Sequence, residues 1–383
     1  MVRRLLAVRL DNAGDVLLAG PAIRAMAAGC DELVVLAGPQ GAEAARLLPG
    51  VDDVMVWPCP WIDSGRPLVD GADIRRLVDQ IGQRSFDGAL IFTSFHQSAL
   101  PTALLLRLGG VSWVGAISDD YPGTLLDLRH RVSDNLHETQ RALSLSTAAG
   151  LPLPTADDGR LDVRRPLPDV AFLVGSDGYV VLHPGTSVPA RAWPVRRFAE
   201  CSQQLVNIGW RVVVTGAPSE AGLTRAVASA GSLPQHASFD ERTSFGSRAC
   251  PPLPGPAGFN RDKPVDLGGR TSLPQLAAVL DRAAVVVAAN TGPAHLAAAV
   301  GTPVVSLFAP TVPAVRWAPY GVPHVLLGDQ QAACRETRAT WCQIPGHPCL
   351  TSVTAHDVCE AVTELAGRSQ VEYSSSQPKE VAQ

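Results

Sequence analysis

Residues 3–38 read RRLLAVRLDNAGDVLLAGPAIRAMAAGCDELVVLAG, and this stretch decides the fold. Residues 3–10 (RRLLAVRL) have the composition of a buried strand, and residues 11–15 (DNAGD) make a turn with a glycine. Residues 16–29 (VLLAGPAIRAMAAG) form a helix that Gly20-Pro21 bends or restarts. Residues 31–38 (DELVVLAG) are the next strand. A strand, a helix and a second strand in so short a span are a βαβ unit of a parallel sheet. The alternation continues with a helix at 42–48, a strand at 52–58, a helix at 73–83 and a strand at 87–93.

A proline-rich segment with little periodicity, LPLPTADDGRLDVRRPLP (151–168), is the best candidate linker. Beyond it the alternation resumes: strand 178–185, helix 195–209, strand 210–218, helix 219–231, helix 272–283, strand 284–289, helix 294–301 and strand 303–308. The chain therefore divides into an N-terminal domain, 1–160, and a C-terminal domain, 161–368. A Pro-, Gly- and Ser-rich insertion covers about 232–264, and 369–383 read as a disordered tail. Such α/β proteins bind ligands at the carboxyl ends of their strands and between lobes.

At 383 residues the chain exceeds one typical core. Its 46% hydrophobic and 18% charged content is that of a soluble globular protein. The net charge of −4 gives no basic surface, so nucleic acid is not an expected partner. Arg9 and Asp11 interrupt the apolar start too early for a signal peptide, and no uninterrupted apolar run makes a membrane span. The expected location is the cytoplasm, with the eight cysteines as thiols.

Four segments carry chemistry. HPGTSVPARAWP (183–194) follows a strand: Thr186 and Ser187 offer hydroxyls, Gly185 permits close approach, Arg191 suits phosphate oxygens, and Pro194 starts a helix. TGAPSEAG (215–222) sets Glu220 at a helix start, where a carboxylate holds ribose hydroxyls or simply favours the first turn. AANTGPAHLAAAVGTPVVSLFAPT (288–311) sets Asn290, Thr291 and Gly292 at a helix start, with His295 one turn in. Free backbone N–H groups there bind anions, and Thr291 is otherwise a cap. In LDNAGD (10–15), Asp15 is either a helix cap or a general base, and Asp11 competes for either role.

Together and in this order, these segments resemble glycosyltransferase family 9, the ADP-heptose:lipopolysaccharide heptosyltransferases. The residues that carry the resemblance are NAGDVLLAGPAIRAM, HPGTSVPARAWPVRRFAE and VDLGGRTSLPQLAAVLDRA followed by NTGPAHLAAAVGTPVVSLFAPT. It implies an α/β fold of GT-B type, two Rossmann-like parallel-sheet lobes facing a cleft. It also implies inverting transfer of a heptose or related sugar from an ADP-activated donor to a hydroxyl of a glycan or glycolipid. Asp15 would be the general base. Thr186, Ser187 and Arg191 would hold the diphosphate, Glu220 the ribose, and Asn290, Thr291, Gly292 and His295 phosphate and sugar. Two positions depart from the family pattern: Arg191 where Lys is common, and Asn290 where Asp is usual. No cofactor beyond the nucleotide-sugar substrate is expected, and passing association with the inner face of the cell membrane is.

No metal is expected. The chain has no Asp-x-Asp metal motif in a suitable loop; the nearest sequence, SDD (118–120), opens with a serine and runs into the Tyr121-Pro122 turn. Cys334, Cys342 and Cys349, with His347, lack the paired spacing of a zinc site. Thr354 to Asp357 reads as a capping box opening a last helix to about Ala366. Residues 92–98 and 135–143 are candidate acceptor-side segments, within which His96 and His137 read as surface residues. The competing functions are another enzyme on the same fold, such as a sugar-nucleotide epimerase or hydrolase, a transferase with another donor, and an inactive nucleotide-sugar-binding relative.

Overall fold

The computed structural model describes residues 3–62, 68–133, 135–175, 178–229 and 263–376, the last nine as backbone. The chain separates into two compact units, Met1–Arg165 and Pro166–Gln383. The first runs β1 (Arg4–Arg9), α1 (Ala13–Leu18), α2 (Gly20–Ala28), β2 (Glu32–Ala37), α3 (Ala42–Leu47), β3 (Asp53–Val56), α4 (Gly71–Arg84), β4 (Gly88–Ile91), α5 (Leu100–Leu108), β5 (Trp113–Ile117), β6 (Leu128–His130) and α6 (Glu138–Ala148). Its sheet has the order β3-β2-β1-β4-β5-β6, and every pairing is parallel. Leu6, Val8, Val34, Leu36, Ala89 and Ile91 pack one face against Leu77 and Ile81 of α4 and Leu106 of α5. The opposite face is buried too, which is why these strands read as continuous apolar runs rather than alternating ones.

The second unit runs α7 (Ala171–Val174), β7 (Tyr179–His183), α8 (Val195–Asn207), β8 (Val212–Val214), α9 (Ala221–Ala228), β9 (Val265–Asp266), α10 (Leu273–Asp281), β10 (Ala283–Ala289), α11 (Gly292–Ala299), β11 (Val304–Leu307), α12 (Ala314–Trp317), β12 (His324–Leu327), α13 (Pro348–Thr351) and α14 (Ala355–Ser376). Short 3₁₀ turns occupy Pro189–Arg191 and Pro218–Glu220. Its sheet order, β12-β11-β10-β7-β8-β9, repeats the first read from the other edge, again all parallel. Val180, Leu182, Val285, Val287, Val305 and Leu307 meet Phe198, Cys201 and Leu205 of α8 and Val358, Val362 and Leu365 of α14. Among the described residues no helix is long and apolar enough to cross a membrane.

The structure settles or changes four local readings. Gly20-Pro21 restarts the first helix rather than bending it, because proline cannot donate in a helix interior but fits an opening turn. The proline-rich segment is fastened to the first unit: Leu161 and Val163 are buried, and Arg24 forks onto Asp157 at 2.7 and 2.8 Å. The Thr354 and Asp357 capping box opens α14, and the helix then continues past Ala366 to Ser376. Residues 368–376 contain no helix-breaking proline, so the tail expectation fails up to Ser376. Its remainder, 377–383, and the insertion up to residue 262 lie outside the described residues.

Phe198 is fully buried and meets Trp193 edge to face at 4.8 Å between ring centroids. Phe198→Ala leaves a cavity between α8 and the sheet and should destabilise the second unit by about 3–5 kcal/mol, read as a lower denaturant midpoint for that unit's transition.

Candidate active site

In each unit the strand order reverses direction between two central strands, β1 and β4 in the first and β7 and β10 in the second. The crevice at the carboxyl ends of such a pair is where open α/β sheets bind ligands. Residues 10–15 and 92–98 follow β1 and β4; residues 184–194 and 290–295 follow β7 and β10. Three of the four chemistry-bearing segments of the sequence therefore fall at the switch points of the two sheets, and the fourth, 215–222, follows β8 beside β7.

In the first unit β1 ends on a buried guanidinium. Arg9 is 3% exposed; its Nε lies 3.2 Å from Asp11 Oδ2, and its second terminal nitrogen lies 3.1 Å from Asp15 Oδ1 and 3.0 Å from Ser94 Oγ. Asp11 also accepts from Gln97 Nε2 at 2.6 Å, and its side chain is only 10% exposed. Asp15 is 23% exposed, so of the two it is the one that reaches solvent or substrate. Asp15 does not cap α1. Asn12 is the N-cap residue, and Asp15 sits in the first turn facing Arg9. Burial pushes the Asp15 carboxyl up to about 6; Arg9 opposes that shift, while Asp11 and Glu138 reinforce it. Such a carboxylate is ionised at neutral pH yet accepts a proton readily, as a general base must.

In the second unit Arg191 ties two loops together, its guanidinium donating to the Asn290 carbonyl at 3.4 Å. The Thr186 hydroxyl accepts from Val188 N at 3.3 Å, and Ser187 is exposed in the same turn. Thr291 is the N-cap residue of α11 but makes no side-chain cap bond, so its hydroxyl is not spent on the helix. His295 is buried at 3%. Asn290, 4% exposed, has an amide nitrogen with no hydrogen-bond partner among the described residues. A buried donor left unsatisfied costs about 1–3 kcal/mol, so this one invites an acceptor.

Glu220 joins the same group. A Cβ on Gly185 would stand 2.1 Å from the Glu220 carboxylate, so glycine is there to admit that carboxylate. Glu220 accepts from Ala217 N at 2.7 Å, and its own burial raises its carboxyl above the usual range. His183, which the sequence does not single out, lies beneath: Nδ1 is 2.9 Å from Thr215 Oγ1, and Nε2 is 3.9 Å from Glu220. Burial lowers His183 to about 4, so it is neutral at pH 7 and its contact with Glu220 is no ion pair.

Other expectations resolve differently. His96 is exposed, but His137 is buried and accepts from Thr139 N as the N-cap of α6. Cys334 and Cys349 belong to the second unit's core, and burial with the neighbouring Cys334 pushes the Cys349 thiol up to about 12. Among the described residues no three or more His, Cys, Asp or Glu stand together so as to hold a metal ion. Arg9 does carry a signal in the sequence, a charge ending an apolar strand two residues before Asp11 and six before Asp15. His183 left only a polar residue after a valine-rich strand.

Two doubly wound parallel sheets with polar switch-point loops give an α/β protein of GT-B type. The family model for glycosyltransferase family 9 (heptosyltransferase) matches residues 74–244 and 257–345, and the chain belongs to that family. It is 32% identical over 145 residues to lipopolysaccharide heptosyltransferase 3 of Escherichia coli K12, covering 38% of this chain. The match spans only 34% of that relative, and 32% of a second Escherichia coli sequence of the same name. In fold it is similar to a family 9 glycosyl transferase of Veillonella parvula (TM-score 0.73, 16% identity, 96% of this chain and 98% of that one). It is likewise similar to the Escherichia coli ADP-heptose LPS heptosyltransferase II (0.68, 16%, 96% and 99%). A third likeness is to the Escherichia coli heptosyltransferase WaaC with ADP-2-deoxy-2-fluoro heptose (0.65, 19%, 94% and 99%).

His183 must take up a proton on unfolding in mild acid, so its contribution to stability is full above about pH 6.5 and is lost as pH falls toward 4. Thermal unfolding followed against pH should show His183→Gln losing about 2–3 kcal/mol less than the parent over that window.

Proposed function

We propose that the protein transfers a heptose, or a closely related sugar, from an ADP-activated donor to a hydroxyl of a glycan or glycolipid, with inversion at the anomeric carbon. The observation that carries the donor side is the Arg191 to Asn290 contact, which draws the loops after β7 and β10 together. Thr186, Ser187, Arg191, Thr291 and Gly292 then surround space suited to a diphosphate. The start of α11 adds unsatisfied N–H groups and positive partial charge. Glu220, seated on Gly185, meets the ribose hydroxyls. Asn290 and His295 face the phosphate and sugar.

Asp15 deprotonates the acceptor hydroxyl, whose oxygen attacks the anomeric carbon as the bond to the diphosphate breaks. The electron pair of that bond stays on the diphosphate, where the Arg191 guanidinium and the backbone amides stabilise it. A one-step displacement from the face opposite the leaving group inverts the anomeric centre. The enzyme works at the inner face of the cell membrane if its acceptor is a glycolipid. Asn290 favours a second reading. The usual acid would accept a hydrogen bond from the sugar, whereas the unsatisfied Asn290 amide donates one, which suits a donor with an acceptor oxygen at that place.

Titration calorimetry with ADP, GDP, UDP and dTDP under one buffer should show preference for ADP, weakened at least tenfold in Arg191→Ala. Preference for another nucleotide would keep the transferase and remove the ADP-heptose donor, and no binding to any would favour an inactive relative. Asp15→Asn should cut transfer by about 10²–10⁴-fold while leaving the ADP affinity within a factor of two.

A further inference from the structure

On the reading of Asp15 as the base, we propose that Glu138 is a positioning residue for the reaction. It is a buried carboxylate whose charge, balanced against Arg9 and Arg141, governs how firmly Asp15 holds its proton. Glu138 opens α6, and its side chain is 3% exposed. An acidic residue in a first turn is favourable at the surface, where it stays hydrated. Burying the carboxylate is expensive, and the helix start does not require it.

Its surroundings say what the burial does. Arg141, one turn on, lies 3.7 Å from Glu138 and donates to the Thr93 carbonyl. Arg9 donates to Ser94, the next residue of the same turn. Arg9, Asp15, Thr93, Glu138 and Arg141 line one small cavity. The cluster thus holds two guanidiniums against three carboxylates, Asp11, Asp15 and Glu138. With all of them ionised one negative charge is in excess. Asp15 is the most exposed of the three, and Asp11 is committed to Arg9 and Gln97. The excess therefore raises the proton affinity of Asp15, the first of the three to take up a proton as pH falls. The other titratable and charged groups nearby leave that balance in place. His130 of β6 faces Arg141, but burial and that guanidinium hold it below its ordinary value, so it carries no charge near neutral pH. His137 uses Nδ1 to accept from Thr139 N, Arg24 of α2 is taken by Asp157, and Glu43 and Arg46 of α3 are exposed. The direction of the Asp15 shift agrees: burial contributes most, and Glu138 adds to it.

The test uses the whole chain labelled with ¹³Cγ-aspartate. The Asp15 resonance is assigned by its loss in Asp15→Asn and titrated by NMR, so the readout does not depend on turnover. Glu138→Gln should lower the Asp15 midpoint by about 1 pH unit, and Glu138→Asp should restore most of it. Arg141→Gln should raise it, and this variant serves if Glu138→Gln does not fold. In transfer assays the acidic limb of kcat/KM should move with the midpoint while KM for the donor stays put. An Asp15 midpoint unmoved in both Glu138→Gln and Arg141→Gln overturns the proposal. Full transfer activity in Asp15→Asn, with the midpoints still shifting, would instead sink the assignment of Asp15 as base and leave the electrostatic coupling standing.

Discussion

A guanidinium buried at the end of β1 constrains everything around it. Arg9 cannot be desolvated without anionic partners, so the turn that follows must supply Asp11 and Asp15, and the turn after β4 must supply Ser94. Those two turns flank the switch point of the first sheet. Neutralising Arg9 therefore fixes the conformation of 10–15, sets Asp15 in the first turn of α1, and leaves its carboxylate facing the crevice. The same arrangement sets the proton affinity of Asp15, because burial and neighbouring carboxylates raise it while Arg9 keeps it from rising further.

The second unit joins its switch-point loops in a different way. Its sheet has the same order, and the loops after β7 and β10 again meet at the switch point, here through a guanidinium donating to a backbone carbonyl. A glycine at 185 admits the Glu220 carboxylate, and a neutral histidine lies beneath it. The first unit thus presents the Asp15 carboxylate, and the second presents hydroxyls, amides, an arginine and the Glu220 carboxylate.

Much of the fold was legible because both faces of each sheet are covered. Strands buried on both faces become unbroken runs such as AVVVAA, and helices between them carry their own start signals, as with the Thr354 and Asp357 box. The candidate donor-side residues stand out in the sequence because they cluster in three short segments after β7, β8 and β10. Less legible were roles that depend on a distant partner. Gly185 invited the idea of close approach by a ligand, yet what approaches it is Glu220. Asp15 could be a cap or a base until Asn12 took the cap position. His137 looked like a surface residue until α6 turned it inward.

The sequence by itself determined the alternation of strands and helices, the two-unit division and the loops that carry polar chemistry, because apolar periodicity and turn residues act over a few neighbouring positions. Only the tertiary structure decided which of two aspartates is available, that Arg9 and Glu138 share its environment, and that His183 underlies Glu220. Proton affinity and hydrogen-bond satisfaction depend on burial and on charges that lie far apart in the chain, from Arg9 to Glu138 and from His183 to Glu220, and folding alone brings these together.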